Sequence, residues 1–367
     1  MHLLTLTLEH FRNHTATTVD FAGADTQLFV GENGSGKTNL LEAVSVLSLT
    51  KSCRGRDEQE LAQWGATHYR VRAEVLADDG KKSTMEVVTE VSPRQRKACF
   101  INDVKTGLGA MVGFLPTVIF LPQDLLLFSG PPAERRRFLD QLLSQVSPDY
   151  LADFSAYQKI LQQRNALLRN IADGRQTEEG IQVWDRALAH HGCRLTIARL
   201  ELIETLNLSF AEELKELGED RWEAVRLTYT RKSVERDPAA LEEEVVRLLE
   251  KHRQRDLALV STSVGPHRED WQVMVGEREL PTFASRGQER TAVLAILLLE
   301  VAYLELRRGE RPMVLLDDAF SELDDRHQER LMDALKGRQV ILTSTRVPPN
   351  IGEARLWRVG GGTVSPV

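Results

Sequence analysis

The run Gly31-Glu32-Asn33-Gly34-Ser35-Gly36-Lys37-Thr38 carries chemistry that the rest of the chain must position. A glycine, four residues and then Gly-Lys-Thr is the spacing of a loop that cradles phosphates. Its glycines let successive backbone N–H groups turn inward onto phosphate oxygens. A helix starting at its end adds a partial positive charge behind them. Lys37 can then reach β- and γ-phosphates, while the Thr38 hydroxyl serves Mg²⁺. The flanks agree, because Gln27 to Val30 reads as a short buried strand and Asn39 to Leu49 as the following helix. The expected ligand is a nucleoside triphosphate.

A second group of residues fits that chemistry. Met313-Val314-Leu315-Leu316-Asp317-Asp318 ends an all-apolar strand in two carboxylates. Beside a phosphate loop, the first would hold Mg²⁺ and the second would orient or deprotonate water. Ser285-Arg286-Gly287-Gln288 opens an apolar helix, and its hydroxyl and free amides make an anion-binding end. By itself that is only a capped helix, and Ser321-Glu322-Leu323-Asp324 is ambiguous in the same way.

These residues need a scaffold. Apolar residues at 42% and charged residues at 28% give globular values, which exclude a disordered chain. The longest apolar run, Ala292 to Leu299, is too short to cross a bilayer. With no basic and apolar leader and three scattered cysteines, the expected setting is cytoplasmic, with no membrane partner and reduced thiols. The net charge of −7 restricts any nucleic-acid surface to local patches. Two exist in the text: Lys51, Arg54 and Arg56 after the first helix, and Arg94, Arg96 and Lys97 at a strand turn. Arg135-Arg136-Arg137 opens a helix and reads as structural.

In chain order, alternation predicts strands at Leu4–Leu8, Thr18–Phe21, Tyr69–Ala77, Thr84–Val91, Ala98–Ile101 and Thr117–Leu121. From Pro131 to about Lys251 helical spacing takes over. Two apolar stripes broken at Asp173-Gly174-Arg175 predict an antiparallel hairpin. A short strand is expected at Ala224–Tyr229, a helix at Leu241–His252, and strand-like text at Leu257–Val260. A helix at Thr291–Leu306 and strands at Pro312–Leu316 and Gln339–Leu342 return the chain to α/β. The expected division is therefore a head at residues 1–125 and 256–367, split by a helical lobe at 126–255.

Taken together, the phosphate loop, Gln123 after a strand, Ser285-Arg286-Gly287-Gln288, Asp317-Asp318 and Ser321-Glu322-Leu323-Asp324 follow the order of ABC-type ATPases. Phe11-Arg12-Asn13-His14, Lys51 to Gly55, Phe120 to Leu125, Arg135 to Asp140, Gln163-Arg164-Asn165 and Gly265-Pro266-His267-Arg268 narrow this further. On them the chain resembles, over essentially its whole length, the RecF family of bacterial DNA-repair proteins, in the SMC and Rad50 branch.

The resemblance implies an α/β ABC-type head with an inserted helical hairpin, slow DNA-stimulated ATP hydrolysis, and ATP with Mg²⁺ as ligands. It implies an ATP-dependent homodimer that clamps duplex DNA near single-stranded gaps and helps load the recombinase with RecR-type and RecO-type mediators. Arg12, Asn13, Gly31, Asn33, Gly34, Ser35, Gly36, Lys37, Thr38, Asn39 and Arg54 would bind ATP, and Thr38, Gln123 and Asp317 the metal. Lys37, Gln123, Asp317, Asp318 and Ser285 would be catalytic. Ser285, Arg286, Gly287 and Gln288 would cap the γ-phosphate held by a partner's Lys37 loop. Thr343-Ser344-Thr345 stands where transporters carry a switch histidine. A transporter-type ABC subunit is the alternative, and a histidine there would favour it.

Overall fold

The computed structural model describes residues 1–219, 222, 224–231, 235–349 and 351–367. The chain divides into two compact units. One holds Met1–Leu126, Glu212–Asp220 and Ser285–Val367, and the other Leu127–Ala211 and Arg221–Ala284.

In the first unit the phosphate-loop strand, Thr26–Val30, lies mid-sheet. It pairs in parallel with Val340–Ser344 on one side and Arg355–Gly360 on the other. Met313–Asp317 follows Val340–Ser344, and Thr117–Phe120 follows that, again in parallel. Every residue of Met313–Asp317 and Val340–Ser344 is buried, as expected of strands covered on both faces. A second sheet is antiparallel: His14–Asp20, His2–Phe11, His68–Leu76, Lys82–Glu90, Arg96–Ile101 and Val104–Thr106, in that order.

Helix Lys37–Leu49 follows the phosphate loop, and Leu40 to Ser48 are buried without a break. Its apolar side chains join one core with Phe29, Leu315 and Ile341 of the parallel sheet and Leu6, Val71 and Val87 of the antiparallel one. A helix clasped on all sides holds the loop before it in one place.

The second unit contains the expected hairpin, helix Pro148–Ala172, capped by Ser147, and helix Ile181–Glu216 as far as Ala211. Ions as well as apolar stripes join them. Fully buried Arg164 donates to Asp185 at 2.7 Å, to Asp256 at 2.8 Å and to Thr262 at 2.8 Å. Arg199 binds Asp140 at 2.7 Å and the Pro266 carbonyl at 2.8 Å, and Tyr157 meets His267. Arg135 makes a bidentate pair with Asp270, so this arginine of the triplet is structural.

Two expectations need correction. Leu257–Val260 is not a strand, for Arg253–Leu259 is helical. Buried Asp256 anchors it by accepting from the Ser263 amide at 3.0 Å, and Val260 ends it at φ +51°. The lobe also does not end at residue 255. Asp270–Val275 pairs with Val225–Thr230, and the second unit runs on to Ala284.

Helix Arg286–Arg308 carries a feature that its apolar text conceals. Glu300 is buried among leucines, and desolvation, with a smaller push from Asp124, raises its carboxyl to about 8. Between roughly pH 4.5 and 8 the unfolded chain has lost this proton while the folded chain keeps it. The unfolded state then binds fewer protons, so stability falls as pH rises through that window. Glu300→Gln should match the parent near pH 5 and exceed it at pH 8.5, as read by urea unfolding at both values.

Candidate nucleotide-binding site

The loop depends on its glycines where space and backbone demand them. Gly36, at the helix start, has φ +108°, and a Cβ there would lie 2.4 Å from the Asn13 amide nitrogen. Asn13 is close because it holds the loop: it donates to the Ser35 carbonyl at 3.0 Å and accepts from Asn39 at 2.8 Å.

Lys37 is buried, with its ammonium held by the carbonyls of Gly31 at 2.7 Å and Glu32 at 2.9 Å. Burial lowers its pKa against the opposing pull of Asp318 and Asp317. The Thr38 hydroxyl lies 2.9 and 3.0 Å from the two Asp317 carboxylate oxygens. A hydroxyl and a carboxylate converging on one point form a hard oxygen set, which suits Mg²⁺. Asp318, at φ +47°, has one carboxylate oxygen buried without a partner, and burial raises its pKa.

These groups share one cavity of about 280 Å³, lined by Asn33, Gly34, Gly36, Lys37, Thr38, Asn39, Arg54, Pro122, Asp317, Asp318 and Thr343. Residues from both ends of the chain are thus brought together. Gly31 and Ser35 instead line an adjoining cavity with Val359 and Gly360.

Other expected residues stand elsewhere. Arg12 does not line the cavity; its guanidinium forks onto buried Glu42 of the loop's helix, at 2.8 and 2.9 Å. Ser52 donates to the same carboxylate, which ties Arg12 to the segment that carries Arg54. Gln123 is exposed on the turn Pro122–Leu126 and only its neighbour Pro122 reaches the cavity. Ser285 caps Arg286–Arg308 reciprocally with Gln288, and neither they nor Arg286 and Gly287 line the cavity of their own chain.

Of the basic residues, Lys51, Arg54, Arg56, Arg94 and Arg96 are exposed. Lys97 is not free for a partner, since its ammonium binds the Thr50 carbonyl at 2.8 Å and pairs with Glu58. A strand pattern cannot reveal a pair so distant in sequence. Sequence reasoning places Thr343 at the switch-histidine position without naming a contact for it; it donates to Asp317 at 2.6 Å and accepts from the Asp318 amide at 3.0 Å. Its place at the end of a buried strand beside the Asp-Asp strand is the signal that could have found the contact with Asp317.

Fold and cavity together define a P-loop nucleotide-binding head of the ABC class with an inserted helical lobe. Residues 2–351 match the model of the RecF/RecN/SMC N-terminal domain family. The DNA replication and repair protein RecF of Heliobacterium modesticaldum is 34% identical, over 100% of this chain and 99% of that protein. A solved structure of the recombination mediator protein RecF-ATPrS in the RecFOR pathway superposes with a TM-score of 0.92 at 31% identity, covering 100% of this chain and 98% of that one. The SMC head bound to the C-winged helix domain of ScpA shares the fold, with a TM-score of 0.55 at 14% identity. The chain belongs to the RecF family. The transporter-type alternative has no support in these matches.

Lys37→Arg keeps the charge but replaces a compact ammonium with a planar fork in a buried niche. It should lose hydrolysis while retaining part of its ATP affinity, as measured by phosphate release and nucleotide titration; wild-type turnover would remove the loop from the chemistry.

Proposed function

We propose that this chain is an ATP-dependent DNA-binding protein of recombinational repair and replication restart. It dimerises on ATP, clamps duplex DNA near single-stranded gaps and helps load the recombinase with RecR-type and RecO-type mediators. The observation that carries this reading is the distribution of the site. Lys37, Thr38, Asp317 and Asp318 meet in one cavity, whereas Ser285 to Gly287 sit exposed at a helix start outside it. A second copy that brings its helix start to the cavity would complete the site.

In that arrangement Lys37 faces the β- and γ-phosphates, and the loop amides orient them. Thr38, Asp317 and Gln123 would hold Mg²⁺, which would supply positive charge against the phosphate oxygens. Asp318, with its unpartnered oxygen and raised pKa, is placed to orient or accept a proton from water. A shorter carboxylate than the glutamate of transporters fits slow turnover, used as a switch and stimulated by DNA.

Ser285→Arg places a bulky cation where the other subunit's γ-phosphate belongs. The variant should bind ATP as a folded monomer and fail to dimerise in sedimentation with ATP; normal dimerisation would remove this segment from the interface. For DNA, Arg94→Glu with Arg96→Glu leaves the Lys97–Glu58 pair intact. Duplex affinity should fall, and the log–log salt dependence should flatten by roughly 0.9 for each phosphate that is no longer neutralised. A salt titration with unchanged affinity and slope would move the DNA surface away from this turn.

A further inference from the structure

On the antiparallel sheet, Glu9, His10 and His68 bring one carboxylate oxygen and two imidazole nitrogens within 4.8 Å of one another. None of the three lines the nucleotide cavity. Strand alternation alone would not gather them. Glu9 pairs with Arg70 across the strands His2–Phe11 and His68–Leu76, so Glu9 and His68 share a face and His10 belongs on the other. His10 instead adopts φ +51°, a left-handed conformation that breaks the alternation. Its ring then meets His68 edge-on, with centroids 5.3 Å apart.

Hydrogen bonding prepares one nitrogen of that ring. The Gln63 amide donates to Thr15 Oγ1 at 2.8 Å, which turns its carbonyl toward His10 Nδ1 at 3.2 Å. A carbonyl only accepts, so Nδ1 carries the proton and Nε2 keeps its lone pair. His68 Nε2 stands 3.6 Å from Glu9 Oε1, and both side chains are 38% exposed, open to an ion from solvent. The other Glu9 oxygen lies 3.2 Å from Arg70, but Arg70 has a second carboxylate in Glu86 at 3.3 Å. Glu9 can therefore turn to a cation without leaving Arg70 unpaired.

We propose that Glu9, His10 and His68 form a binding site for a borderline divalent cation, Zn²⁺ foremost, with Gln63 as the orienting residue. Two imidazoles and one carboxylate select Zn²⁺, Ni²⁺ or Cu²⁺ over Mg²⁺ or Ca²⁺. Three protein donors leave a fourth position to water. The test is Zn²⁺ titration of the nucleotide-free full chain in competition with a chromophoric chelator. One equivalent should bind. His10→Ala and His68→Ala should each weaken binding by more than about tenfold, and Gln63→Leu by about tenfold although it never touches the ion. Glu9→Gln, which keeps the shape of the side chain, should weaken it as well, with circular dichroism verifying that every variant is folded. Absence of stoichiometric uptake, or uptake that the two histidine variants leave unchanged, would overturn the site.

Discussion

Three distant stretches of chain meet on the carboxylate of Asp317. Thr38 reaches it from the phosphate loop's helix at 2.9 Å, and Thr343 from the next strand of the sheet at 2.6 Å. Asp317 is largely buried at the end of its own strand, and those two hydroxyls hold its carboxylate at the edge of the cavity. Each hydroxyl in turn rests on backbone that must already be in register. Val340–Ser344 has to lie between Met313–Asp317 and Thr26–Val30, and it does so in parallel with both. The site is therefore a statement about the sheet: a slip of one residue in Met313–Asp317 or Val340–Ser344 would turn Asp317 or Thr343 to the opposite face, and a slip of Thr26–Val30 would displace the loop that leads to Thr38.

The same economy governs charge. The chain is acidic overall at −7, and many of its arginines and lysines are consumed internally. Arg164 is enclosed by Asp185 and Asp256, Arg199 is held by Asp140, and Arg12 by Glu42. Removing one partner from a pair of that kind leaves an uncompensated charge out of water, so these residues define the packing of the unit that contains them. Arg54, Arg94 and Arg96 are among the cations left exposed at the surface.

How much of this was legible in the sequence depends on whether the signal was local. The phosphate loop, its helix and the strand ending in Asp317 and Asp318 were readable because spacing and apolar runs are local properties. The hairpin was readable for the same reason, through two stripes and the break at Asp173-Gly174-Arg175. What escaped is long-range pairing. Lys97 read as part of a nucleic-acid patch until Glu58, thirty-nine positions away, was found beside it. Arg12 looked like a nucleotide contact until Glu42 took its fork. Leu257-Ala258-Leu259 is short and apolar, a text that strand and helix share, and Asp256 decided between them through an interaction that no periodicity encodes. The extent of the lobe was misjudged because the pairing of Asp270–Val275 with Val225–Thr230 is invisible to composition.

The strand order of the parallel sheet bears on the way the chain is made. Thr26–Val30 leaves the ribosome well before both of its neighbours, Val340–Ser344 and Arg355–Gly360. The antiparallel sheet has all its strands within the first 106 residues, and the hairpin lobe is also local, so each can form during translation. The phosphate loop cannot, because the strand that carries it has no lateral hydrogen bonds until more than three hundred further residues have been added. A nascent or truncated chain thus has its lobe before the strands that flank its phosphate-loop strand are complete.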